Sequence, residues 1–162
     1  IKFEKKNLFI DKFDEKFDLI VSKDTFEHTV DLPKILDKFY DLLKKDGKVY
    51  IGFGPLYNSY NGDHGRTQLK FPWLHVILSE KIIIDRYNNR NSIKIKKIED
   101  LGLSKYSFKE YKQIFQDSKF EIQYFKTNLS DHPIGKVFNY ISKINILKEY
   151  FTFNIYCILK KY

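Results

Sequence analysis

Two stretches of the sequence run from apolar residues of strand type directly into side chains that can do chemistry. The first, FDLIVSKDTFEH at 17–28, ends in hydroxyl, amine, carboxylate and imidazole groups. The second, KVYIGFGPLYNSYNGDHG at 48–65, ends in tyrosines, asparagines, an aspartate and His64. Such groups bind polar ligands, and an imidazole with an unperturbed pKa of about 6.5 can take up a proton at neutral pH. The two stretches therefore predict a polar site where strands end.

The same residues predict the elements that position this site. The apolar runs at 17–22 and 48–54 are typical of strands, and a helix capped by Asp31 is expected from Pro33 until KKDG ends it at Gly47. A strand, helix and strand with short connections form a right-handed crossover, which makes the two strands parallel. Because ligands bind beyond the carboxyl ends of parallel strands, the two polar segments are expected to share one crevice.

The rest of the chain continues the alternation of helices and strands. The expected elements are a helix at 71–84, a polar surface segment at 85–106, a helix at 107–118, a strand at 119–127, a helix at 134–147 and a strand at 151–160. The β-branched end of the first of these helices could instead be extended. Ser107 and Glu110 have the spacing of a capping box. The last two strands lack the usual crossover between them, so we expect them to pair antiparallel. Together these elements predict a single α/β domain over 1–162.

Composition excludes several classes of protein. The chain of 162 residues is 43% hydrophobic, enough for one domain with a real core. Its apolar runs are shorter than the roughly 18–20 residues of a membrane span. The single Cys157 lies in the apolar run FNIYCIL, which excludes a disulfide framework and favours a buried thiol. A cytoplasmic location is the expectation.

The positive charge of the chain favours a solvated surface over a nucleic-acid site. The formal net charge is +8, which could attract a polyanion. Most of the positive charge comes from dispersed lysines, and the only arginines are Arg66, Arg86 and Arg90. Arginine is preferred for bidentate contacts with phosphates and bases. We therefore expect no specific nucleic-acid partner.

The segment 17–53 resembles the region from the fourth to the fifth strand of class I S-adenosylmethionine-dependent methyltransferases of the small-molecule type. The signatures FDLI, EH..D and LLK.DGK..I follow one another in the family's order, although Lys45-Asp46-Gly47 stands where the family usually has Pro-Gly-Gly. SKFEIQYF and the terminal FTFNIYCILKK resemble the family's antiparallel strand pair. The likeness therefore covers most of the chain.

The resemblance implies a Rossmann-like open sheet with mostly parallel strands, a terminal antiparallel pair and missing amino-terminal strands. The family's glycine-rich loop and the acidic residue that binds the ribose have no counterpart in the sequence, which contains no Met and starts at Ile1. Residues 1–162 are thus expected to be the carboxyl-terminal two-thirds of a methyltransferase domain. The implied cofactor is S-adenosylmethionine. Its expected contacts are Asn7, at the position that often binds the adenine, and Ser22, Lys23 and Asp24 at the strand end.

The acceptor side of the site is expected in an insertion at 55–106, rich in aromatic and polar residues. Tyr57, Tyr60 and His75 are its candidate substrate-binding residues. His64, between glycines in the loop after a strand, is the candidate general base or substrate contact, with an exposed loop histidine as the alternative. The implied reaction is methyl transfer to a small-molecule or glycan-precursor acceptor.

Other polar residues have plainer interpretations. Glu27 and Asp31 can stabilise the following helix through charge at its amino end. His28 is expected to be a packing or capping residue, and His132 a loop residue. Because the four histidines show no compact ligand spacing, the sequence predicts no metal site.

Two other functions compete with methyl transfer. A noncatalytic methyltransferase-like partner that binds another protein would expose an apolar sheet edge. A polyanion-binding domain would use the lysine-rich surface and would be retained on heparin in a salt-dependent manner.

Overall fold

Four strands form one mixed sheet in the computed structural model, which describes residues 3–129 and 132–162. They are β1 (Phe17–Lys23), β2 (Leu43–Phe53), β3 (Glu121–Thr127) and β4 (Ile155–Lys160), in the spatial order β1-β2-β4-β3. β1 and β2 are parallel, and β4 is antiparallel to both β2 and β3. Three strands therefore point the same way and β4 alone is reversed. The parallel first pair and the antiparallel last pair confirm the prediction, whereas further strands beside β1 remain an expectation.

Six α-helices are present in the described part of the chain. They are α1 (Leu32–Leu42), α2 (Leu74–Ile77), α3 (Glu80–Arg90), α4 (Phe108–Asp117), α5 (Pro133–Ile141) and α6 (Asn145–Phe151), with 3-10 turns at Phe26–His28 and Ile98–Leu101. Asp31 caps α1 by accepting from the Lys34 amide at 3.3 Å. Ser107 and Glu110 form the predicted capping box at α4.

The boundary between α1 and β2 differs from the prediction. The helix ends at Leu42 rather than at Gly47, and β2 begins at once with Leu43, which pairs with Phe17 of β1. Leu43 is 1% exposed, so its burial in the core favours the strand over another helical turn. Gly47 does not end the helix but allows a close approach of the backbone within β2. A Cβ there would lie 2.9 Å from the Lys44 carbonyl oxygen, so only glycine fits this close approach.

Two other predicted helices are interrupted. Residues 71–84 hold α2 and the start of α3, separated by extended backbone at Leu78 and Ser79. The helix α3 runs on to Arg90, into the segment predicted to be a polar surface segment. Ile83 is buried in a small second core with Tyr57, Ile98 and Leu103, which favours helix over the extended form its β-branched neighbours suggest. The helix predicted at 134–147 is divided in the same way into α5 and α6, and β4 begins only at Ile155.

The main core lies on one face of the sheet, beneath α1 and α4. Alternate residues of β2 and β4 point into it and meet aromatic side chains from the helices and from the turn after β1. The buried members include Val49, Ile51, Phe53, Ile155, Cys157, Leu159, Phe26, Tyr111 and Phe115. The predicted burial of Cys157 is thus confirmed.

The opposite face of the sheet is apolar and open. Leu19 and Val21 of β1 are 49% and 68% exposed, and Tyr50 of β2 is 42% exposed. Since β1 is an edge strand of the described sheet, the molecule has the exposed apolar edge that the protein-binding alternative predicts. The same surface is expected if further strands continue the sheet beside β1.

Candidate functional site

The carboxyl ends of β1 and β2 lie side by side, as the crossover predicts. The Asp24 amide donates to the Gly52 carbonyl oxygen at 2.8 Å, which ties the two strand ends together. The turn after β1 and the loop after β2 then meet, and the rings of His28 and His64 have centroids 4.8 Å apart. Residues 36 positions apart in sequence therefore face one crevice.

Glu27 is a buried carboxylate in this crevice, 3% exposed. Its Oε1 accepts from the Gly54 amide at 3.3 Å, whereas its Oε2 has no hydrogen-bond partner among the described residues. Burial raises the pKa of the Glu27 carboxyl, against the opposing effect of its backbone hydrogen bonds. Glu27 is thus held in the crevice by the Gly54 amide, while the side-chain cap of α1 comes from Asp31.

A backbone carbonyl determines the tautomer of His28. Its Nδ1 lies 2.8 Å from the carbonyl oxygen of Gly102. A carbonyl only accepts, so Nδ1 carries the hydrogen and Nε2 keeps its lone pair. The Arg66 Nη2 lies 3.5 Å from this Nε2. Arg66 also donates through Nη1 to the carbonyl oxygens of Leu101 and Gly102, at 2.7 and 2.9 Å.

A backbone carbonyl also determines the tautomer of His64, but here the nitrogen that contacts the carbonyl is Nε2 rather than Nδ1. Its Nε2 lies 3.2 Å from the Pro55 carbonyl oxygen, so Nε2 carries the hydrogen and the lone pair is on Nδ1. Burial lowers the pKa of His64, and the charge of Arg66 acts in the same direction. The lowered pKa favours the neutral ring that a base or a ligand requires.

The loop geometry explains how His64 reaches the crevice. His64 itself has a left-handed backbone, with φ of 52°, and Gly65 follows with φ of 70°. A Cβ at Gly62 would lie 2.1 Å from the carbonyl oxygens of Leu56 and Tyr57, so this position accepts only glycine. The expectation that glycines shape this turn is confirmed. Asp63 supports the loop through the Gly65 amide at 3.2 Å.

The crevice gathers three possible metal ligands, contrary to the sequence prediction. One ligand atom from each of Glu27, His28 and His64 can be chosen so that all lie within 4.8 Å of one another. The expectation that the histidines form no compact group is thus wrong for His28 and His64. Their spacing in sequence carries no such signal, because the crossover through α1 brings them together.

Two of the predicted substrate-binding residues lie in the interior of the insertion. Tyr57 and His75 are 7% and 3% exposed, and the His75 Nε2 lies 2.6 Å from the Tyr57 carbonyl oxygen. Burial raises the pKa of the Tyr57 hydroxyl to about 12, so it stays protonated. Direct substrate contact by Tyr57 and His75 stays a prediction, and the burial of both side chains does not favour it.

Tyr60 occupies a different position, beside an open cavity. The cavity has a volume of about 280 Å³ and is lined by Tyr60, Asn128, Phe138, Phe153 and Asn154, among others. The Tyr60 ring stacks on that of Phe153 with centroids 5.5 Å apart. The volume is close to the lower limit, about 300 Å³, of pockets that take small molecules. Tyr60 is therefore the predicted acceptor residue whose placement fits the role.

The predicted cofactor-binding residues separate into two groups. Ser22 and Lys23 line a shallow cavity of about 320 Å³ on the open face of the sheet, and Asp24 follows with φ of 49°. Asn7 lies in an exposed turn, where its Oδ1 accepts from the Phe9 and Ile10 amides at 2.9 and 3.2 Å. This turn uses both lone pairs of the oxygen that an adenine amino group would need.

Sequence reasoning overlooked two contributors to the crevice. Arg66 is exposed and isolated in sequence, and Gly102 lies in the segment predicted to be a polar surface segment, yet both contact His28. The EH pair singled out Glu27 in the sequence. The burial of the Glu27 carboxylate depends on the end of β2, however, and no sequence pattern predicts it.

An α/β sheet with a polar crevice at the ends of two parallel strands is compatible with the class of Rossmann-like folds. A family model described as a methyltransferase domain matches residues 1–124, which is more than half of the chain. The protein therefore belongs to this methyltransferase-domain family, consistent with the resemblance to class I S-adenosylmethionine-dependent enzymes. No curated protein matches the chain significantly. Within residues 3–129 and 132–162, every helix is too short or too polar to cross a membrane.

Proposed function

We propose that the protein transfers a methyl group from S-adenosylmethionine to a small-molecule or glycan-precursor acceptor. The observation that carries this proposal is the family match across β1, α1 and β2, whose strand ends hold the polar crevice. The reaction is an in-line substitution, in which alignment of the reactants supplies roughly 7–11 kcal/mol of the barrier reduction.

The strand end of β1 fits part of the cofactor. Ser22 and Lys23 line a mainly apolar cavity of about 320 Å³ and supply a hydroxyl and an ammonium, and the Asp24 carboxylate follows them at the end of β1. Asn7 fits less well, because its amide oxygen is occupied by the turn. When bound, the cofactor supplies a methyl group on a positively charged sulfur. The protein's own part is to align the acceptor and to activate it.

His64 is proposed to activate the acceptor as a general base. Its lowered pKa favours the neutral ring, and the contact of Nε2 with the Pro55 carbonyl leaves the lone pair on Nδ1. Tyr60 and the cavity of about 280 Å³ provide the acceptor side. Tyr57 and His75 support the insertion from within, through their mutual contacts.

Methyl transfer can be tested with S-adenosylmethionine carrying an isotopic label in the methyl group. The natural protein, with any residues that flank this sequence, is incubated with hydroxyl- and amine-bearing small molecules, including nucleotide sugars. We expect a labelled product by mass spectrometry for at least one acceptor class, together with S-adenosylhomocysteine. Failure to bind the cofactor in calorimetry, with no labelled product, would contradict the proposal.

A noncatalytic protein-binding role is the second candidate, and the exposed Leu19 and Val21 favour it. It predicts a stable complex that forms through β1 in the absence of cofactor. Cofactor binding by the natural protein would favour methyl transfer. Loss of that complex on Val21→Thr would favour the protein-binding role. The polyanion-binding alternative is tested by heparin retention at varied salt.

A further inference from the structure

We infer that Glu27, His28 and His64 form a binding site for a divalent transition-metal cation. Their ligand atoms, an oxygen and two imidazole nitrogens, lie within 4.8 Å of one another. Two histidines and one carboxylate suit Mn²⁺, Fe²⁺, Co²⁺ and Zn²⁺, and they leave coordination positions open. With bonds of about 2.0–2.2 Å, bound ligand atoms lie roughly 3–3.5 Å apart, so modest side-chain rotations close the site.

The hydrogen bonds of both histidines already match this role. Metal-binding histidines usually donate the second ring N–H to a carbonyl or carboxylate, which fixes the tautomer and the ring orientation. His28 does so through Nδ1 to Gly102 at 2.8 Å, and His64 through Nε2 to Pro55 at 3.2 Å. The remaining nitrogens, Nε2 of His28 and Nδ1 of His64, carry the lone pairs that a cation needs.

The buried carboxylate supplies an independent indication. Glu27 is 3% exposed and its Oε2 has no partner among the described residues, although its Oε1 is held by the Gly54 amide. A buried polar atom without a partner is costly, and a buried carboxylate is normally paired or bound to a metal. A cation between the two imidazoles would complete the coordination of this oxygen.

The surrounding charges favour a dication. Glu27 binds a cation as the carboxylate and so brings one negative charge to it, and Asp24 and Asp63 are close enough to act electrostatically on Glu27 and His64 respectively. Arg66 opposes binding, with its Nη2 at 3.5 Å from the His28 Nε2. This guanidinium is exposed and is anchored mainly through Nη1, so a metal can displace Nη2.

The consequence for catalysis rests on the proposed function, whereas metal binding itself does not. An acceptor hydroxyl at an open coordination position loses its proton to water more readily, since a divalent cation lowers the pKa of bound oxygen. The oxygen then forms a bond to the methyl carbon as the carbon–sulfur bond breaks, and that electron pair stays on sulfur. His64 would act on a hydroxyl acceptor through the ion instead of taking the proton itself.

Metal binding is measured on the protein after dialysis against a chelator. Mn²⁺ is titrated and the free ion is followed by electron paramagnetic resonance, and Co²⁺ is titrated with its visible absorption as the readout of nitrogen ligation. We expect one ion per chain. Both Glu27→Gln and His64→Ala should weaken binding by about 100-fold or more, because loss of outer-shell partners alone costs roughly 10–100-fold.

His132→Ala is the matched control, since it removes an exposed histidine outside the cluster and should leave affinity unchanged. Thermal unfolding of each variant shows whether a loss of binding reflects a loss of folding, and Glu27→Gln preserves shape. Absence of Mn²⁺ and Co²⁺ binding by the wild type, or binding that Glu27→Gln and His64→Ala leave intact, would overturn the inference. Labelled product formed in excess chelator would show that methyl transfer does not require the metal.

Discussion

His64 owes its position to two unusual backbone features. Its own φ of 52° and the close approach at Gly62 turn the loop after β2 back over the turn that follows β1. A left-handed conformation in a residue other than glycine is strained and is found preferentially at functional sites. We therefore expect the side chain, and not merely the loop, to matter for activity.

Replacement of His64 by alanine should lower turnover by about 10²-fold or more, the usual contribution of a general acid or base. Cofactor affinity should change little, because the expected cofactor contacts lie at the end of β1. Steady-state kinetics and calorimetry on the natural protein measure the two quantities. Asn61→Ala, an exposed change in the same loop, is the control. Near-full turnover of His64→Ala would place acceptor activation elsewhere.

Cys157 should be unreactive in the folded protein. It is 1% exposed, and burial raises the pKa of its thiol to about 12. The reactive thiolate is therefore scarce at pH 8, and access is blocked as well. Ellman's reagent should detect no thiol under native conditions and one thiol after unfolding in guanidinium. Rapid native reaction would show that the sheet opens at β4.

At the residue scale, the helix caps could be predicted from the sequence, whereas contacts between residues far apart in the sequence could not. The caps at Asp31 and Ser107 follow from a few adjacent residues, so the sequence sufficed for them. The contact between His28 and His64 depends on a crossover through α1, and the burial of Glu27 depends on an amide from β2. These long-range consequences have no local pattern, which is why the metal-ligand cluster was missed.

At the scale of elements, two serines occupy the same position in different helices. Ser107 precedes α4, and its hydroxyl accepts from the Glu110 amide at 3.1 Å, while the Glu110 carboxylate accepts from the Ser107 amide at 2.7 Å. Ser79 precedes α3 and makes no such side-chain bond. A comparison of the two serines therefore isolates the contribution of the side-chain cap to stability.

Ser107→Ala should reduce the free energy of unfolding by about 1 kcal/mol, within a usual range of roughly 0.5–2 kcal/mol for a lost cap. Ser79→Ala should change it by no more than about 0.5 kcal/mol, as for an ordinary surface position. Urea unfolding of both variants gives the comparison. Equal losses would show that the hydrogen bond at α4 is not what stabilises its first turn.

Element boundaries departed from prediction where tertiary packing outweighs local preference. The KKDG segment has the composition of a helix end, yet Leu43 already belongs to β2 because its side chain fills the core. By contrast, the predicted helix holds at Ile82 to Ile84, although these residues favour a strand locally, because burial of Ile83 against Tyr57 and Ile98 keeps them in α3. The order and direction of the strands were predictable, because the crossover rule restricts the topology.

At the scale of the whole molecule, the two faces of the sheet differ. Val49 of β2 is 0% exposed beneath α1 and α4, whereas Val21 of the neighbouring β1 is 68% exposed on the opposite face. A doubly covered sheet would bury both. The open face is therefore the surface on which a binding partner, or further strands, would produce the largest change in solvent exposure.

The same isosteric substitution on the two faces should have different effects. Val49→Thr places a hydroxyl in the core and should cost about 1–3 kcal/mol of unfolding free energy, the usual penalty for a buried polar group without a partner. Val21→Thr leaves its hydroxyl in water and should change stability by no more than about 0.5 kcal/mol. Guanidinium unfolding of this chain at two protein concentrations measures both. A loss at Val21 as large as that at Val49 would mean that the open face is covered in solution, and its dependence on concentration would identify self-association as the cause.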